Sequence, residues 1–238
     1  MTGLPLPDLL LLAALLVAMP VVAMAQIPLI GERTIERLPA YWSSVAMLAM
    51  LGAISWLVGT RADGLAAIGL TSLAPAPFIG WTLGLTAAGI GIIVLFRHIT
   101  LLLGADESPL LRALLPRDPQ ERTVFALLAV TAGSAEEIAY RGYAIPVLIP
   151  AVGSLGALLV TSVVFGVLHA YQGALGMVRT SLMGAALAGG FLLSGSLLPA
   201  IAAHILIDLL AGIVLADRLL LPLVDPGVGD EHPPFREG

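Results

Sequence analysis

The apolar chain places three formal charges in residues 134–143, "SAEEIAYRGY", with "FALLAV" shortly before and "AIPVLI" directly after. An ionisable side chain at mid-bilayer costs about 2.5–3.5 kcal/mol on insertion scales, so such residues mark function and face the bundle interior. The set here is Glu136, Glu137, Arg141, His169 at the end of "TSVVFGVLHA", and His204 and Asp208 in "PAIAAHILIDL". Helical spacing sorts them. Glu137 and Arg141 are four residues apart, share a face and are expected to pair. Glu136 points about 100° away, on the strip of Gly133, Tyr140 and Tyr143, and is left unspent. His204 and Asp208 share another face, and Phe165 lies one turn before His169. A carboxylate withdrawn from water, next to imidazoles, suits general base work near neutral pH.

That constellation fits hydrolysis of a peptide bond. Glu136 would take a proton from water, aided by His169, while His204 and Asp208 steady the water or the developing oxyanion. A second reading makes Glu136, His169 and His204 a His2Glu ligand set for Zn2+; both readings, metal and no cofactor, stand at this point. Three other intramembrane chemistries are not indicated within the apolar spans: the chain has no HExxH and no GxSG, its one GxGD match, Gly227-Val228-Gly229-Asp230, falls in the polar tail, and the "SGS" at 194–196 has the wrong context.

The elements that must carry these residues are transmembrane helices. Of 238 residues, 58% are hydrophobic and 11% charged, where soluble domains carry about 25% charged residues. The mean hydropathy is +1.00. Seven apolar spans are read at roughly 6–30, 41–59, 78–103, 122–146, 153–171, 178–196 and 199–222, near the ~20 residues that cross a bilayer core. Residues 60–77 are weakly apolar and end in prolines; they read as an interfacial segment, or as a short eighth span. A barrel is not expected, because no ten-residue alternation appears. The fold class is thus all-α, a polytopic membrane protein of about seven or eight helices. One integral domain is expected over 1–222, with a polar Pro/Gly-rich tail, 223–238, expected to be disordered. "LLLLAALLVAMPVVAMAQ" resembles a signal peptide ending at Ala23–Ala25, but residues 1–8 hold no basic residue, so a retained first span is preferred. With no cysteine, disulfides and thiolate metal sites are excluded. The net charge of −5 and the absence of a basic run argue against nucleic acid. No internal repeat of the transporter kind is present.

Arginine placement gives an orientation. Seven spans put Arg33, Arg37, Arg112, Arg117, Arg122, Arg179, Arg218 and Arg236 on one side and Arg61 on the other. The richer side is expected to be cytoplasmic. The sixth span carries Gly184, Ala188, Gly189 and Gly190, small residues suited to close packing. Ser196 is placed to cap the last helix, with Pro199 in its first turn. One strain shows in this map: His204 lies early in its span and His169 late in its own, a depth offset of roughly 13 Å at 1.5 Å per residue.

The order Glu136-Glu137-x-x-x-Arg141, Phe165-x-x-x-His169, His204-x-x-x-Asp208 resembles the CAAX-protease and bacteriocin-processing (CPBP, or Abi) family of intramembrane proteases. The likeness covers about residues 120–215, and "SGSLLPAIAAHILIDL" is similar to the family's lead-in to its last motif. It implies a membrane-embedded endopeptidase in which Glu136 and His169 activate water and His204 and Asp208 hold water or the oxyanion, with Glu137, Arg141 and Phe165 in support. Asparagine is common where this chain has Asp208. An ionised aspartate cannot donate a hydrogen bond, which favours an orienting or metal-ligand role there. The family has been called both metalloprotease and glutamate protease, so Zn2+ stays open. Eukaryotic members trim three residues after a prenylated cysteine; bacterial relatives are linked to bacteriocin maturation or self-immunity. The lysine-free, Ala/Leu-rich composition reads as bacterial, in the cytoplasmic membrane, with a membrane peptide or protein as substrate. The rivals are a non-proteolytic scaffold or immunity protein of the same fold and, further off, a proton-coupled transporter.

Overall fold

The computed structural model describes residues 4–30, 35–105 and 107–216. Within them the ordered elements are helices: α1 (Leu6–Ala13), a π turn (Ala14–Ala18), α2 (Met19–Ile30), α3 (Arg37–Gly59), α4 (Pro75–Leu102), α5 (Pro109–Ala113), α6 (Pro119–Glu136), a π-helix (Glu137–Ala144), α7 (Ile145–Leu168), α8 (Gly173–Ser194), α9 (Leu198–Leu209) and a last π turn (Leu210–Val214), with short 3-10 turns at Gly64–Ile68 and Ala170–Gln172. The expected tail 223–238, the far end of the seventh span, and Arg33, Arg218 and Arg236 lie outside the described residues.

Five helical runs are long and apolar enough to cross a membrane, and Leu198–Val214 adds a shorter one. One run, Pro119–Leu168, has 50 residues. At 1.5 Å per residue it would span about 75 Å, far more than a ~30 Å hydrocarbon core. Gly153 divides it: φ 73° and ψ 169° leave the helical region, a conformation that only glycine adopts readily. The two halves match the expected fourth and fifth spans. Large apolar side chains such as Leu10, Val21, Met47, Leu83, Leu155 and Leu193 are exposed, as an outer surface in lipid requires. The protein is an integral, multi-pass membrane protein.

Residues 60–77 do not form an eighth span. Their only helix before α4 is the five-residue 3-10 turn at Gly64–Ile68, and the segment is tied beneath the start of α9. Leu197 N donates to Gly69 O at 2.7 Å and Ser196 Oγ to Thr71 O at 2.6 Å. Ser196 Oγ also accepts from Leu198 N at 3.3 Å, while Leu197 is the backbone N-cap and Pro199 lies in the first turn.

Packing sets the ends of the bundle. α3 lies on α6, α4 on α8 and α9, α6 on α9, and α7 on α8. Arg37 pairs with Glu121 at 3.5 Å, Tyr41 OH donates to Leu114 O, and Arg179 pairs with Glu107. Those contacts gather Arg37, α5 and the starts of α6 and α8 at one end. Arg61 is at the other end, bonded to Asp8. The first helix is part of this core: Leu11, Leu12 and Leu15 are buried with Tyr140 and Tyr143.

Candidate active site

"DPQE" starts α6 rigidly. Asp118 Oδ1 accepts from Glu121 N at 2.8 Å, Pro119 takes the first turn, and Glu121 Oε2 accepts from Arg117 N at 2.7 Å. That reciprocal cap fixes the register of the helix that ends at Glu136. Two glycines then admit the neighbours. A Cβ on Gly133 would stand 2.9 Å from Ile205 N, so its absence lets α6 and α9 meet backbone to backbone. A Cβ on Gly184 would stand 2.9 Å from Arg141 Nη2 and 3.3 Å from Phe165 Cδ1. Gly184, expected only as a packing residue, therefore makes room for the arginine.

The charges meet at that contact. Arg141 Nη1 donates to Glu137 Oε1 at 2.8 Å, the expected i,i+4 pair, and both side chains are buried. His204 Nδ1 lies 2.9 Å from the same oxygen. With an ionised carboxylate accepting, Nδ1 carries the proton and a neutral ring keeps Nε2 as an acceptor. Nε2 faces Glu136 Oε2 at 3.8 Å and Asp208 Oδ2 at 3.7 Å. Those separations are too long for direct hydrogen bonds and suit bridging by a water. Glu136 retains 16% and Asp208 35% side-chain exposure, against none for Glu137, so only the first two are reachable.

Phe165 organises the rest. Its ring lies 4.8 Å from the His169 ring and 5.9 Å from the His204 ring, and the Arg141 guanidinium sits 4.3 Å over its face. His169 Nδ1 donates to Phe165 O at 2.8 Å, which leaves Nε2 as its acceptor. The expected depth offset of roughly 13 Å is not seen, because both imidazole rings pack on the one Phe165 ring, at 4.8 and 5.9 Å. Glu136, Glu137, His204 and Asp208 form one cluster, and His169 joins it through an intervening aromatic ring rather than by a hydrogen bond.

The expected face of Glu136 is corrected. Glu136 does not share a strip with Tyr140 and Tyr143. Tyr140 OH donates to Leu15 O at 3.4 Å and Tyr143 OH to Asp8 Oδ1 at 3.0 Å, so both face the first helix while Glu136 faces α9. The cause is the π-helix that begins at Glu137: its wider turns shift the register after Glu136, as π segments at functional sites do. Among the described residues no group of three or more His, Asp or Glu side chains is arranged to hold a metal ion.

Sequence reading missed several polar partners. Asp8 is buried in an apolar helix and bonded to Arg61 and Tyr143. Glu107 and Arg179 form a second buried pair at 2.8 Å. Arg97 is buried near the end of α4 with its Nη2 unpartnered.

The three-motif likeness has an independent counterpart. Residues 119–210 match the family model described as Rce1-like, the type II CAAX prenyl endopeptidases. Over these residues the chain is similar to the CAAX-protease family. The Rce1-like segment holds α6, the π-helix, α7, α8 and α9, every element that contributes to the cluster. The helices before residue 119 lie outside the match, although Asp8 and Leu15 contact the family's first motif helix. Among curated proteins and solved structures, nothing matches the chain.

Proposed function

We propose that the protein is an intramembrane endopeptidase that hydrolyses a peptide bond with water activated by Glu136. One observation carries the reading: His204 Nε2 stands between the two partly open carboxylates of Glu136 and Asp208 while its Nδ1 is held by Glu137. A water in that gap donates to Glu136 and to either His204 Nε2 or Asp208. Glu136 takes one proton as the water oxygen bonds to the scissile carbonyl carbon. The C–N bond then breaks, and the proton on Glu136 passes to the leaving amine. A general base of this kind contributes about 10²–10⁴-fold. Glu137 and Arg141 fix the His204 ring and its tautomer, in the way a buried carboxylate orients an imidazole. Asp208, as an ionised acceptor, orients the water and does not donate to the oxyanion. His169, with Nε2 available as an acceptor, works from the arginine-rich end, where the peptide is proposed to enter.

The substrate class is a membrane peptide or protein in a lipid bilayer, and the bacterial cytoplasmic membrane is the proposed location. The test is cleavage of candidate membrane peptides by purified wild type and Glu136→Ala, each with and without a chelator. The reading expects cutting by wild type alone, unchanged by chelator. Equal cutting by both proteins refutes the mechanism, and loss of wild-type cutting on chelation refutes its metal-free form.

A further inference from the structure

Resting on the proteolytic reading of the site, we propose that Glu107 and Arg179 are positioning residues that latch the loop before α5 onto the turn bearing His169. His169 ends α7 with non-helical backbone, φ −96° and ψ 23°, and leads into the 3-10 turn Ala170–Gln172. Left alone, such a helix end frays. Here it is held from two sides. From the loop, Ser108 Oγ donates to Tyr171 O at 2.6 Å. From α8, Arg179 Nη2 and Thr180 Oγ1 donate to Gln172 Oε1 at 3.1 and 3.3 Å. Arg179 Nη1 joins the two sides by donating to Glu107 Oε1 at 2.8 Å. Within the turn, Gln172 N donates to His169 O at 2.9 Å, and the Tyr171 ring lies 5.9 Å from the imidazole.

The chemistry explains why an ion pair is used there. Both side chains are buried, at 7% and 5% exposure, and a buried charge is tolerated only when it is answered. The guanidinium forks, with one nitrogen on Glu107 and one on Gln172, so a single planar group sets both distances. The pair lies outside the EExxxR, FxxxH and HxxxD positions. It acts on His169 through the turn and touches no reacting atom in the proposed mechanism. The loop it captures also closes the arginine-rich end of the bundle, where Leu111 and Leu115 pack on Ala216.

The experiment uses the full-length protein in detergent and the double variant Glu107→Ala/Arg179→Met, which removes both charges and leaves neither unpaired. Three quantities are read: kcat and KM on a peptide cut in a Glu136-dependent manner, the melting temperature, and the rate at which diethyl pyrocarbonate labels His169 against the exposed His98. A latch predicts that kcat falls about tenfold while KM stays within about twofold. It also predicts that His169 labels several-fold faster with His98 unchanged. Unchanged kcat and unchanged His169 labelling overturn the latch. So does a rise in labelling at both histidines with a lowered melting temperature, which would show a purely structural pair. If no peptide is cut by wild type, the proteolytic reading fails while the labelling ratio still decides the latch.

Discussion

Two polar clusters sit in this apolar bundle, and their difference separates scaffold from chemistry. The first joins Asp8, Arg61 and Tyr143 across the far end. Its one acid meets one base and one hydroxyl, and Arg61 reaches the surface with 38% side-chain exposure. The second joins Glu136, Glu137, Arg141, His204 and Asp208. It holds three acids, one guanidinium and one imidazole, and several of its donors and acceptors are unspent: Glu137 Oε2, Arg141 Nε and Arg141 Nη2 are buried without partners. Unspent capacity in a low-dielectric site is costly. A cluster that only fastens helices closes its bonds, as the first does; the second also leaves Glu136 and Asp208 partly exposed and beyond direct hydrogen-bond distance of His204 Nε2.

Substitutions test that contrast. The largest expected effect is on rate: Glu136→Gln lowers kcat about 10²–10⁴-fold with an unchanged melting temperature, measured by peptide cleavage and thermal unfolding in detergent. Next is Arg141→Met, which removes the one guanidinium answering the buried Glu137 and leaves it only His204 Nδ1, destabilising by about 3–5 kcal/mol; a denaturant titration in micelles reads it, and activity is lost with the fold. Gly184→Ala pushes a methyl to 2.9 Å from Arg141 Nη2 and destabilises by about 1–3 kcal/mol, with the rate falling as the guanidinium shifts. The smallest effect belongs to the scaffold cluster: Tyr143→Phe removes the hydroxyl shared between Asp8 O and Oδ1 and destabilises by about 1 kcal/mol, with kcat within about twofold of wild type. A Tyr143→Phe protein that folds but has lost its rate would erase the distinction between the clusters.

Much of this was legible in the sequence. The i,i+4 spacing of Glu137 and Arg141 and of His204 and Asp208 fixes which side chains share a face, and seven apolar runs give the helices. The π-helix was not legible, because nothing in "EIAYRGYA" forces an i→i+5 turn; its cause is tertiary, with Tyr140 and Tyr143 drawn to the first helix. Glu107 and Arg179 are 72 residues apart in the chain, and no spacing rule joins residues so distant. The break at Gly153 was half visible. The expected span boundary fell there, while the helix on its N-terminal side runs past residue 146 to meet it.

The π-helix Glu137–Ala144 makes the site sensitive to deletion in a way substitution does not reveal. Its wide coil accommodates one residue more than an α-helical path of the same length. Excising a single residue, such as Ala139, would let the segment rewind, leave Arg141 three residues from Glu137 on the same face and turn the tyrosines away from the first helix. The chain would keep its apolar length, and Tyr140 and Tyr143 would lose their hold on Leu15 and Asp8.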